Sequence, residues 1–207
     1  MGKSTAAMTL QRLGVPLFDA DRAVHRLLAP GGAAVELVTA SFPGVRAATG
    51  GIDRSLLGQH VFADPKALLR LERIIHPMVE ALEKRFLAFA RARREPIVGL
   101  DIPLLFESRS ERRCDYVLVV SAPRLVQRQR VLRRRGMTEK RLAAISSNQM
   151  PDYEKRRRAD FVVPTGLSRG LSLRRLRAIV RLLRAERLPV TRQSRHAHRE
   201  RRRRPDA

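Results

Sequence analysis

Four short, uninterrupted apolar runs constrain this chain more than any other feature: residues 15–18, 96–100, 116–120 and 161–163. Strands that alternate apolar and polar residues have one wet face, whereas continuous runs of this length belong to strands covered on both faces of a parallel sheet. Helical periodicity fills the intervals. Leu173, Leu176, Val180 and Leu183 step by three and four along one face, with Arg174, Arg175, Arg177, Arg181 and Arg184 largely off that seam. Strands alternating with helices predict an α/β fold.

The first two runs are separated by about 75 residues with no strand signal. Leu68, Leu71, Ile75, Val79, Leu82 and Phe86 mark an amphipathic helix there, interrupted at His76-Pro77. Proline disfavours the helical state in the residue before it, so a kink or a fresh helix start is predicted at that point. A helical insertion of this size beside a parallel sheet is a natural substrate-binding subdomain.

Gly2-Lys3-Ser4-Thr5 runs directly into a helical stretch that Gly14 closes. Glycine, lysine and a hydroxyl residue before a helix are the second half of a phosphate-binding loop, whose backbone amides and helix N-terminus cradle phosphates. In such a loop the lysine reaches the outer phosphates and the hydroxyl ligates Mg²⁺. Downstream, the first apolar run delivers Asp19 and Asp21, and the second ends at Asp101 and Pro103. Taken alone, Asp21 reads first as a helix N-cap ahead of Ala23.

Composition excludes several classes. One cysteine, Cys114, permits no internal disulfide and fits a reducing, cytoplasmic setting. No apolar stretch is long enough for a transmembrane helix, and no zinc-ligand spacing occurs. With aromatics at 4% and no tryptophan, stacking platforms for single-stranded nucleic acid are poorly supported. The net charge of +23 calls for an anionic partner without naming one. Residues 192–207 include Arg201 to Arg204 and almost nothing apolar, and 188–207 read as a disordered basic tail that attracts nucleic acid only non-specifically.

The stretches GKST at 2–5, GVPLFDAD at 14–21, IDRSLLGQHVF at 52–62, IIHP at 74–77, DIPLLFE at 101–107, CDYVLVVSAP at 114–123 and QMPDYEKRRRADFVV at 149–163 stand in one order and spacing. In these the chain resembles the dephospho-CoA kinase family over nearly its whole length. The resemblance implies a parallel sheet of the P-loop nucleoside-triphosphate-hydrolase type, flanked by helices. It implies a kinase domain over 1–187, with a helical acceptor-binding insertion at about 23–92 and a lid at about 128–150. It further implies transfer of the γ-phosphoryl of ATP to the ribose 3′-hydroxyl of dephospho-CoA, with ATP as co-substrate and Mg²⁺ as cofactor.

By the same resemblance Asp21 is the base, and Lys3, Arg130 and Arg134 neutralise phosphoryl charge. Gly2, Lys3, Ser4 and Thr5 hold the phosphates, with Ser4 on Mg²⁺, and Gln149 and Lys155 lie near the nucleotide. Asp19, His76, Pro77, Leu104 and Glu107 join Asp21 on the acceptor side. The plain alternatives are a solvated face for the arginines, a satisfied core or cap histidine for His76 and a surface carboxylate for Glu107. Pro164-Thr165-Gly166 departs from the family's pattern beside the adenine. The loop's first glycine and its preceding strand would lie upstream of Met1, so a late start, low stability and weak activity are expected. Two competing readings are an inactive fragment or another small-molecule kinase of the superfamily. A third is a basic nucleic-acid-binding protein that uses the tail.

Overall fold

In the computed structural model, described for residues 2–133, 136–139, 142, 149–166 and 168–185, the chain divides into two compact units. One comprises residues 16–103; the other combines 1–15 with 104–207. The tail 188–207 and Arg134 lie outside the described residues, as does most of the interval 134–148.

The unit 16–103 opens with β1 (Leu17–Asp19) and closes with β2 (Gly99–Asp101). These pair in parallel, Leu17 opposite Gly99 and Asp19 opposite Asp101. Four helices lie between them: α2 (Ala20–Leu28), α3 (Val35–Ser41), α4 (Arg54–Ala63) and α5 (Pro65–Ala92). Their inward faces build one core that includes Leu27, Val35, Val38, Phe42, Val45, Leu57 and Ile75. Carboxylates start three of the four helices. Asp19 accepts from the Arg22 amide, Asp53 from the amides of Ser55 and Leu56, and Asp64 from that of Lys66, with Pro65 at the first helical position. Each such cap satisfies amides that the helix itself cannot.

The fresh helix start predicted as one outcome at His76-Pro77 does not occur: α5 runs for 28 residues with Pro77 inside it. Proline there deletes one amide donor and crowds one carbonyl, at a cost of about 3 kcal/mol. Leu71, Ile74, Met78, Val79 and Leu82 pack against the buried core around Ile75. Full burial of one such side chain is worth roughly 1.5–3 kcal/mol, so five partly buried ones around Ile75 together outweigh the defect. The carbonyl that loses its partner belongs to Arg73, an exposed residue open to solvent.

The other unit contains α1 (Lys3–Arg12), a 3-10 turn (Ser110–Arg113), β3 (Leu118–Ser121), α6 (Arg124–Leu132), α7 (Asp152–Arg158), β4 (Phe161–Pro164) and α8 (Arg169–Ala185). β3 and β4 pair in parallel from Leu118–Phe161 to Ser121–Pro164. The parallel pairing predicted from the continuous apolar runs is therefore found, within two two-stranded sheets. Ala6 of α1, Val163 of β4 and Leu176 of α8 form one buried cluster; Phe106, Val117, Val119 and Ala159 form another.

Gly14 terminates α1 as expected. At φ +73° its amide donates to Gln11 O and that of Val15 to Leu10 O. This double bond pattern closes a helix through a left-handed residue. Arg184 of α8 adds donors to Leu13 O at 2.8 Å and Gly14 O at 3.3 Å, so a distant cation neutralises the negative end of α1.

Candidate active site

The phosphate-loop half sits where the sequence puts it, at the start of α1. Gly2 caps the helix at φ +89°, and a Cβ on it would stand 3.1 Å from Thr165 Cγ2. Both the backbone angle and the close approach therefore require glycine. Lys3, Ser4 and Thr5 follow in an exposed first turn that holds no acidic residue. The amides of Ser4 and Thr5 come too early in the helix to have an intrahelical acceptor, so this end has donors to offer an anion.

Beside it lies a concavity of about 330 Å³, whose lining includes Gly2, Thr5, Thr9, Arg130, Thr165 and Ser172. Its rim is held by a chain of hydrogen bonds. The Thr165 amide donates to Ser121 O at 2.8 Å, and Arg130 Nη2 donates to Thr165 O at 2.8 Å. Gln127 Nε2 donates to Ala122 O at 2.6 Å, anchoring α6 one turn before Arg130. Thr165, at the position that departs from the family's pattern, is thus a wall of this concavity.

The carboxylates gather in the other unit, at the strand ends. Asp19 is taken up as the α2 cap, 2.9 Å from the Arg22 amide. Asp21 is therefore not the cap; it stands exposed in the first turn of α2. Parallel register brings Asp101 beside Asp19 across the β1–β2 pair. Sequence reasoning noted Asp101 as a strand end but gave it no role; a carboxylate directly after an apolar strand was the available signal. His25 lies four residues beyond Asp21 on the same helix face, and Arg54 Nη1 stands 2.8 Å from its Nε2 and 3.0 Å from its Nδ1. This pair was also missed, since nothing local joins residues 29 apart. His76 and Pro77 are exposed on α5. No group of three or more His, Cys, Asp or Glu among the described residues has the spacing of a metal cage.

Leu104 is exposed in the unit that contains α1, with a positive φ of 51°. In that unit two expected site residues meet each other. Lys155 Nζ stands 2.9 Å from Glu107 Oε1, which also accepts from the Met150 amide at 2.7 Å. Burial pushes the Glu107 carboxyl up, but the Lys155 hydrogen bond and the Met150 amide outweigh it and hold the group below its usual value of 4.5. A depressed folded value stabilises the protein fully above the unfolded one and is lost as pH falls through the folded one. The melting-temperature gap between wild type and Glu107→Gln is therefore expected to be widest near neutrality and to shrink as pH drops below 4.5. A gap that stays constant down to about pH 3 would contradict this assignment.

Comparison with known proteins agrees with the geometry. The family model described as CoaE: Dephospho-CoA kinase matches residues 1–168. A dephospho-CoA kinase of Paramagnetospirillum magneticum is 57% identical over 187 residues, covering 90% of this chain and 88% of the relative. The corresponding protein of Rhodospirillum rubrum is 53% identical over 185 residues, covering 89% and 88%. Among solved structures, TT1252 from Thermus thermophilus superposes with a TM-score of 0.72 at 36% identity, over 88% of this chain and 92% of the other. The dephospho-CoA kinase of Campylobacter jejuni, with a TM-score of 0.68 at 24% identity, shares the fold over 90% and 94%. With its phosphate-loop half at the head of α1, its strand-end carboxylates and this breadth of match, the chain belongs to the dephospho-CoA kinase family.

Proposed function

We infer that the chain transfers the γ-phosphoryl group of ATP to the ribose 3′-hydroxyl of dephospho-CoA, giving coenzyme A and ADP, the last step of CoA biosynthesis. The observation that carries this is the family match over residues 1–168, with Gly2–Thr5 at the head of a helix beside a concavity whose lining includes Thr5, Arg130 and Thr165.

Phosphoryl transfer asks for positioning and charge neutralisation, plus one group that takes the hydroxyl proton. Asp21 is exposed and not used as a cap, so its carboxylate is available to accept that proton as the 3′ oxygen bonds to phosphorus. The bond from phosphorus to the β-phosphate bridging oxygen breaks in the same displacement, and the electron pair leaves with ADP. Lys3 and Arg130 offset the charge spreading over the transferred group, the guanidinium as a fixed planar donor. Arg134 is assigned the same task, and Gln149 a place beside the nucleotide, by the family pattern. Gly2, Ser4 and Thr5 receive the phosphates through backbone amides. Mg²⁺, where bound, would draw charge off the phosphates, with the Ser4 hydroxyl as its hard oxygen ligand; Asp19 and Asp101, at the strand ends of the other unit, offer oxygens of the same chemistry. His76, Pro77 and Leu104 are assigned to the acceptor. No described helix is long and apolar enough to cross a membrane.

The test is an acceptor panel with Mg-ATP, following ADP release with dephospho-CoA, adenosine, AMP and pantetheine. ADP release dependent on dephospho-CoA is expected to exceed that with any other acceptor by at least about a hundredfold in kcat/KM, because unmet buried polar contacts penalise incomplete analogues. Preference for a nucleoside would move the chain to another kinase of the superfamily.

A further inference from the structure

Glu107 does not stand alone against α7. Four residues on, Glu111 is buried and accepts from Arg158 Nη2 at 2.8 Å, and the Arg158 guanidinium also lies 5.0 Å from the Phe106 ring centroid. Glu107 and Glu111 on one segment thus meet Lys155 and Arg158, three apart on α7, as a two-rung ladder. The Lys155–Glu107 rung is largely withdrawn from water, with side-chain exposures of 17% and 19%. Glu107 Oε2 is shut off from solvent and takes no hydrogen bond among the described residues, so the carboxylate depends on what reaches Oε1.

From that ladder a continuous set of contacts leads to the concavity. Asp152, the first residue of α7, accepts from Ser121 Oγ at 2.7 Å. Ser121 lies at the carboxyl end of β3, and its carbonyl accepts from both the Thr165 amide and Thr165 Oγ1. The Thr165 carbonyl in turn takes Arg130 Nη2, and Thr165 and Arg130 both line the concavity beside Gly2. At the other end, the amide that Glu107 holds is that of Met150, next to Gln149.

We propose that Glu107 is a positioning residue for the nucleotide, acting through Met150, Lys155 and α7 on the Ser121–Thr165–Arg130 wall, rather than a residue that lines the acceptor pocket. This rests on the proposed reaction for the identity of the two ligands. The chemistry is that of a fixed scaffold. A carboxylate with one oxygen sealed off and the other bonded to an amide and an ammonium has a single favourable arrangement, and so do the groups tied to it. Lys155 belongs to the same device; its ammonium is spent on Glu107.

Equilibrium binding of ATP and of dephospho-CoA, measured separately by calorimetry on the full chain, tests this without requiring turnover. Glu107→Met/Lys155→Met removes both charges together and leaves no buried unpaired ion, so it is the variant compared with wild type for binding. It is expected to weaken ATP about tenfold while dephospho-CoA binding stays within about twofold, as befits loss of preorganisation at one subsite. The single Lys155→Met variant, which strands the Glu107 carboxylate, is expected to melt below the double variant. Glu107→Gln, which retains an acceptor for the Met150 amide, is expected to recover most of the ATP affinity. Weakened dephospho-CoA binding with ATP unchanged would place Glu107 in the acceptor pocket and overturn the proposal, as would no change in either. Wild-type protein that binds ATP but not dephospho-CoA would sink the proposed acceptor while leaving the Glu107 assignment to stand on the ATP arm.

Discussion

Asp21→Asn is expected to lower kcat by about a thousandfold while leaving ATP affinity within about twofold, since a positioned general base contributes on the order of 10²–10⁴. Asparagine matches the carboxylate in shape but cannot accept the proton of the 3′-hydroxyl. The substitution is otherwise mild. Asp21 is exposed and makes no cap, because Asp19 already holds the Arg22 amide. Its stability cost should fall within about 0.5 kcal/mol, the range for surface positions. Asp19→Ala supplies the contrast. It removes the side chain that starts α2, and should cost about 1 kcal/mol of stability. Retention of more than about a tenth of wild-type kcat in Asp21→Asn would remove it from the base position.

Lys3→Met is expected to cost about 10²–10³ in kcat, the loss typical of deleting one preorganised group that stabilises transition-state charge. Methionine keeps much of the stem's length and apolar character, so α1 should form unchanged; the core anchor of that helix is Ala6, not the exposed Lys3. A side chain that binds ground and transition states equally would raise KM alone. The charge on a transferring phosphoryl group develops along the reaction, so kcat should carry most of the loss. Wild-type kcat with a raised KM for ATP would show that Lys3 only holds the nucleotide.

How far these roles were readable from sequence depends on the distance over which each contact is made. Strands β1 to β4 fall on the continuous apolar runs, although β1 and β2 each end on an aspartate and none is buried along its whole length. Gly14 was legible as the end of α1 because a left-handed residue there is a local requirement. At Pro77 the local rule allowed a fresh helix start, and a core spread over α2, α3 and α4 keeps α5 in one run instead. The two aspartates of the DAD run could not be told apart by spacing. Which one caps α2 follows from where β1 ends, and the structure gives that duty to Asp19. The Lys155–Glu107 contact and the Arg54–His25 contact join residues far apart in the chain. No periodicity reports such pairs.

One measurement bears most directly on the reaction itself. The purified chain is incubated with Mg-ATP and dephospho-CoA, and the products are separated and identified by mass and by the position of the new phosphate. Coenzyme A phosphorylated at the ribose 3′ position must accumulate with one ADP for each molecule formed, and only when both substrates are present. Hydrolysis of ATP without coenzyme A, or phosphate at any other hydroxyl, would contradict the assignment of this chain as a dephospho-CoA 3′-kinase.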